Sequence, residues 1–279
     1  MSVIAEKVKE KQSMLDINQQ QADFYNKPKK NAISSIWSWG RGKLLRSVRL
    51  SIGVSDDVYR LHREWLADLS GKKVLDLGCF AGNVLSLEIA KKAGYYLGID
   101  LSKRGISELK AKLESEGVIN GQAVVVDFLS DDFDQYGQFD VIYIYGAMHH
   151  FQHFDVLLNR LNEVLMPNGR IITYDPTETS PLIKFIRSVY RPFQSDAAWE
   201  WPFNRDTYKS IQKVFVVEHV QGFLGRSKAA VMLAFLPLSA NWKRKKSQEW
   251  HAYDLANANS FGPALESCMH VAMCLRKKL

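Results

Sequence analysis

The chain predicts an α/β fold in which a mostly parallel sheet carries helices on both faces. Near-continuous apolar runs of strand length recur along it, and amphipathic stretches of helix length separate them. Glycine, proline or a polar cluster marks most of the junctions, as expected of strands joined by right-handed crossovers.

The first strand is expected over residues 74–78, where Val74 and Leu75 lead through Asp76 and Leu77 into Gly78. The turn that follows, Cys79-Phe80-Ala81-Gly82-Asn83, is bracketed by glycines that let a ligand approach bare backbone. Val84, Leu85, Leu87, Ile89 and Ala90 then make a helical stripe stopped by Gly94. A second strand is expected over 95–100, and Ile106, Leu109 and Leu113 place a helix over 102–116, for which Ser102 is the better N-cap. Residues 123–126 and 139–145 read as strands three and four. Leu157, Leu158, Leu161, Val164 and Leu165 form the best amphipathic stripe, closed by Pro167-Asn168-Gly169, and a fifth strand is expected over 171–174.

Polar residues gather at the carboxyl ends of these strands. Asp76 and Gly78 stand at the first, Asp100 at the second, Asp127 after the third, and Tyr145, Gly146, His149 and His150 after the fourth. Such a rim offers backbone amides at the first turn and a carboxylate at the second, the arrangement that takes a nucleoside.

The ordered segments Val74–Gly82, Gly98–Ser102, Val126–Phe128, Phe139–Ile142 and Leu165–Arg170 resemble the motifs of class I S-adenosylmethionine-dependent methyltransferases, in order and at normal spacing over about residues 70–176. The resemblance implies a Rossmann-like seven-stranded sheet, with strand six over 214–222, strand seven over 270–275 and mostly helix between. It also implies S-adenosyl-L-methionine as cofactor. Asp76 and the backbone of Gly78, Cys79, Gly82 and Asn83 would hold the amino-acid end, Asp100 with Leu101 the ribose, and Asp127 with Phe128 the adenine. Tyr145 and Gly146 would line the channel beside the sulfonium. One departure is plain: Phe80 stands where the family has its central glycine.

Blander readings stand beside these. Gly78 and Gly82 also suit any tight strand-to-helix turn, and Asp127 sits near the loop acids Asp131, Asp132 and Asp134. His149 or His150 would serve as a general base near neutral pH, or else orient the loop under the next helix. No spaced ligand set around them predicts a metal.

Residues 176–204 are expected to form a substrate lid inserted after strand five. It carries Arg191, suited to an anion, and Trp199 and Trp201, suited to sugar rings, with ordinary core packing of these aromatics as the alternative. Residues 1–70 read as an N-terminal helical cap, and 71–279 as the methyltransferase domain. The cap holds a basic, Trp-bearing run over 27–49, which allows weak contact with a membrane surface. A second basic patch, Lys243 to Lys246, reads as a solvated face.

With 279 residues and a net charge of +7, the chain is long enough for one substantial core. Three cysteines argue against a disulfide framework, and the absence of an opening apolar segment makes the cytoplasm the default. The function expected is transfer of a methyl group to a small-molecule acceptor, first an oxygen of a sugar-like metabolite, with nitrogen and carbon acceptors open. A catalytically silent cofactor-binding module serving a protein partner is the alternative from another class, and no nucleic-acid partner is expected.

Overall fold

The computed structural model describes residues 3–26, 49–194, 197–233 and 235–278. Of the basic, Trp-bearing run expected at 27–49, residues 27–48 lie outside the described residues.

Two compact units make up the chain, one of residues 1–28, 68–171 and 277–279, the other of 29–67 and 172–276. In the first, helix α1 (Val3–Asn26) precedes strand β1 (Lys73–Leu77), helix α3 (Val84–Lys92), strand β2 (Tyr95–Asp100), helix α4 (Lys103–Ser115), strand β3 (Gly121–Val125), strand β4 (Phe139–Tyr145) and helix α5 (Phe154–Val164). Helix α2 (Val54–Leu66) belongs to the second unit. Strand β5 (Leu165–Pro176) begins in the first unit and ends in the second. The second unit continues with helix α6 (Pro181–Tyr190), helix α7 (Arg205–Val214), strand β6 (Phe215–Phe223), the short α8 (Ala230–Leu233), α9 (Ala240–Asn257), the short α10 (Pro263–Glu266) and strand β7 (His270–Lys277). The sheet order is β3-β2-β1-β4-β5-β7-β6, a mixed seven-stranded Rossmann-like sheet with helices on both sides.

The parallel core follows from the residues. β1 pairs in parallel with β2 and β4, and β2 with β3, so Val74, Leu75, Leu97, Ile99, Ile142 and Ile144 are covered on both faces and fully or almost fully buried. Against them α3 buries Leu85 and Ile89, α4 buries Ile106, Leu109 and Leu113, and α5 buries Leu157, Leu158 and Leu161. Each such side chain contributes about 2 kcal/mol of transfer free energy. Ser102 caps α4 by accepting from Gly105 N at 3.1 Å, and Asn83 caps α3 in a reciprocal pair with Ser86.

One boundary differs from expectation. Pro167-Asn168-Gly169 does not sit between helix and strand: α5 ends at Val164 and β5 starts at once with Leu165. The apolar stripe continues unbroken through Val164 and Leu165, both buried, and Gly169 fits because a Cβ there would come 2.7 Å from the Leu165 side chain. The strand therefore opens six residues earlier than the sequence indicated.

The interior of the second unit holds several buried polar side chains. Asp254 on α9, almost fully buried, accepts from Gly225 N, Arg226 N, Ser227 N and Ser227 Oγ. His251, one turn earlier, places Nε2 2.9 Å from Asp57 Oδ2 of α2. Buried Arg187 donates to the Thr177 carbonyl and so holds α6 against the end of β5. Phe203 is fully buried and forms a parallel bridge with Thr177, which ties the end of the expected lid segment beside the same strand.

Candidate active site

The first unit brings most of the predicted rim together. Gly78 N and Cys79 N both donate to the Ile99 carbonyl, at 2.9 and 3.1 Å, so the turn after β1 is fastened to the end of β2. Gly78 has φ 70°, and a Cβ on it would lie 2.4 Å from the Ala147 Cβ; only glycine lets the loop after β4 come this close. Lys112 of α4 donates to the carbonyls of Ala81 and Gly82, at 2.6 and 3.3 Å, and fixes the outer side of the turn.

Phe80 occupies the conformation that the missing glycine would have taken. Its φ is 45°, the residue is 43% exposed, and its amide donates to Asp100 Oδ2 at 2.9 Å. Gly105 makes room for the ring, since a Cβ there would approach Phe80 Cδ2 to 2.6 Å. The side chain thus lies back on the start of α4, and the amide keeps its place in the turn.

Asp76 is 2% exposed and receives Tyr96 Oη at 2.8 Å. Desolvation pushes its carboxyl up to about 6, with the Asp100 charge adding to the rise and hydrogen bonds from Ser86 and Tyr96 opposing it. Tyr96 reaches Asp76 diagonally across Gly98, whose register partner is Asp76; a Cβ on Gly98 would meet Tyr96 Oη at 3.1 Å and Leu109 Cδ2 at 2.8 Å. Asp100 accepts Ser102 N at 2.7 Å on Oδ1 besides Phe80 N on Oδ2, and burial shifts its carboxyl upward.

Asp127 lies after β3 and also titrates above the usual range, first because of burial. Its Oδ1 accepts Leu129 N at 2.9 Å and its Oδ2 accepts Asn18 Nδ2 at 2.8 Å. Asn18 belongs to α1, and Gln21 on the same helix donates to the His150 carbonyl at 2.9 Å. Phe128 is almost fully buried and its ring packs edge-on against Phe133. A recess of about 210 Å³ is lined by Asp76, Gly78, Cys79, Phe80, Gly82, Asn83 and Tyr145, and burial raises the Cys79 thiol within it. A larger one of about 860 Å³ includes Leu101, Asp127 and the α1 residues Ala22 and Asp23.

After β4 the chain passes through Gly146, φ 70°, into the short helical turn Met148–His150. His149 is buried and His150 half-buried, their ring centroids 4.0 Å apart. His153 stands at the start of α5 without capping it. In the second unit, Arg191 donates to the carbonyls of Ala197 and Glu200, both at 3.0 Å, and Trp199 and Trp201 are half-exposed. Four contributors escaped the sequence reading: Tyr96, Lys112, Asn18 and Gln21. The Tyr-x-Gly spacing in β2 was the one local sign of Tyr96. The other three act across the fold on partners with no sequence pattern in common.

The fold is that of the class I methyltransferases. Residues 68–221, more than half of the chain, match the family described as "Methyltransferase domain", and the chain belongs to that family. The ubiquinone biosynthesis O-methyltransferase of Nitrosococcus oceani is 29% identical over 140 residues, which are 48% of this chain and 58% of that protein. The chain spans about half the length of the curated relatives it matches. Among solved structures, the Bacillus subtilis YcgJ protein superposes with a TM-score of 0.55 at 15% identity, covering 80% of this chain and all (100%) of that one. Geranyl diphosphate C-methyltransferase from Streptomyces coelicolor, solved with S-adenosyl-L-homocysteine, gives 0.53 at 12% identity, covering 79% and 80%. These two likenesses show the fold.

The residues fit the cofactor. An ionised carboxylate offers about four lone-pair positions, and Asp100 uses one on each oxygen for backbone amides, which leaves acceptors for two hydroxyls. Three carboxylates, Asp76, Asp100 and Asp127, also suit a ligand carrying positive charge.

Proposed function

We propose that the chain methylates an oxygen of a small-molecule acceptor, with Asp76 and the turn Gly78–Asn83 holding the amino-acid end of the cofactor, Asp100 and Leu101 the ribose, and Asp127 the adenine. The observation that carries the reading is the turn itself: its Phe80 amide is bonded to the β2 carboxylate while the same turn opens, beside Tyr145, into a recess with a second carboxylate at its floor. When bound, S-adenosylmethionine supplies a methyl group already activated by a sulfonium.

The chain then has two tasks. It aligns the acceptor, worth several powers of ten when the approach is in line, and it removes the acceptor proton. Met148–His150 supports the second task. His150 is the less buried of the pair, with a carbonyl fixed by Gln21, and we assign the proton to its ring, with His149 packed beneath. We assign acceptor selection to 176–204, where Trp199 and Trp201 keep part of their surface open for a sugar-like ring. A second reading, a lipophilic phenol, is favoured by a different observation: Leu182, Phe185 and Val189 give α6 an exposed apolar stripe, and several relatives are named for ubiquinone biosynthesis.

Calorimetric titration with S-adenosylmethionine and S-adenosylhomocysteine tests the cofactor residues. Asp100→Ala is expected to weaken both by at least about tenfold, the loss of one charge-assisted hydrogen bond; unchanged affinity would remove the ribose assignment. Turnover with sugar-like alcohols against prenylated phenols separates the two acceptors. Tight cofactor binding with no turnover on any acceptor class would favour a silent module instead.

A further inference from the structure

We propose that residues 232–233 and 235–246 dock the protein onto an anionic lipid bilayer. Five large apolar side chains are exposed within eleven residues: Met232 at 72%, Phe235 at 74%, Leu236 at 47%, Leu238 at 42% and Trp242 at 48%. They do not belong to a loose strand. Phe235 N donates to the Met232 carbonyl and Leu236 N to the Leu233 carbonyl, each at 3.2 Å, while Leu233 and Ala230 are buried beneath. Ser239 then caps α9 by accepting from Trp242 N at 3.3 Å. The result is a folded knuckle with its apolar side chains turned outward, a surface that a water-facing protein normally avoids in so short a span.

Charge identifies the occupant. Lys243, Arg244, Lys245 and Lys246 follow the knuckle on the first turns of α9, with Arg244 and Lys245 exposed and Glu249 placed 3.0 Å from Lys246. Residues 219–248 contain no Asp or Glu. The opposite face of α9 is anchored through Ser247, His251 and Asp254, so the outward direction of Trp242 and Lys245 is set by the fold. A second copy of this surface would bring like charges together, whereas an anionic headgroup layer meets the lysines and arginine and its acyl boundary takes Phe235, Leu236 and Trp242. The basic patch read as a solvated face is thereby given a partner, in a segment separate from the rim of β1 to β4.

Sedimentation of the full chain with phosphatidylcholine vesicles, with and without phosphatidylglycerol, tests the proposal. Binding is expected only to the anionic vesicles and to decline as salt rises. A surface lysine or arginine contributes about fivefold to such binding, so Lys243→Glu with Arg244→Glu and Lys245→Glu together should lower it by roughly a hundredfold or more. Phe235→Ser with Leu236→Ser should lower it by at least tenfold with unfolding midpoint unchanged, since both side chains already face solvent. Equal binding to neutral vesicles, binding retained in both variants, or a dimer of the free protein that Phe235→Ser dissociates would each overturn it.

Discussion

Replacing Asp76 with Asn should stabilise the protein lacking cofactor, and by an amount that depends on pH in a defined direction. The folded carboxyl is pushed up to about 6 from an unfolded value of 3.8, chiefly because it is buried without a cation. The folded state therefore binds a proton more tightly than the unfolded chain, and stability falls as pH rises between those values. Below about pH 3.8 both states are protonated and the carboxyl carries no penalty; above about 6 the penalty is complete. A shift of about two pH units corresponds to about 3 kcal/mol. Asn keeps an acceptor for the Tyr96 hydroxyl and has no charge to desolvate, so Asp76→Asn should be more stable than the parent by up to about 3 kcal/mol at pH 7.5 and by almost nothing at pH 4. Urea unfolding of both proteins across that range measures the gap. A difference that does not change with pH, or an Asn variant less stable at pH 7.5, would refute the account. On the proposed assignment the same variant should bind S-adenosylmethionine poorly, and parent affinity should fall as pH drops below about 6, because the ammonium group of the cofactor would then lose the ionised carboxylate.

Three further outcomes follow from the geometry. Phe80→Gly should be about 1 kcal/mol more stable than Phe80→Ala, because both lose the ring but only glycine relieves the left-handed backbone; equal denaturation midpoints would show the turn to be unstrained. Gly78→Ala should cost about 2 to 4 kcal/mol, from its positive φ and the clash with Ala147, and should abolish cofactor binding in calorimetry. A normal titration would contradict the close approach of the two loops. His150→Gln should lower kcat by about a hundredfold or more with cofactor affinity retained, and His149→Gln should mainly lower stability; the reverse pattern would exchange the two roles.

Strands with unbroken apolar runs between polar ends were legible to the residue: 95–100 and 139–145 appear with the bounds expected. The start of β5 was not, because buried Val164 and Leu165 serve helix and strand in succession and leave no polar break between them. The rim carboxylates could be placed because each follows a strand end. Their partners could not. Tyr96 acts through its hydroxyl although its ring reads as core, and Lys112 reads as the solvent side of an amphipathic helix while tying down two carbonyls of the glycine turn. Phe80 is the instructive case, since sequence marks only the lost glycine, whereas the backbone keeps the glycine's conformation and moves the bulk onto Gly105.

The two amide side chains of α1 have a practical consequence. The family match starts at residue 68, but hydrogen bonding draws a wider border, because Asn18 and Gln21 reach Asp127 and the His150 carbonyl from well upstream of it. A fragment trimmed to the shared region would lose both of these donors, together with β7 and the end of β6. The stretch matched by the family is thus smaller than the piece of chain that must be made to study its chemistry.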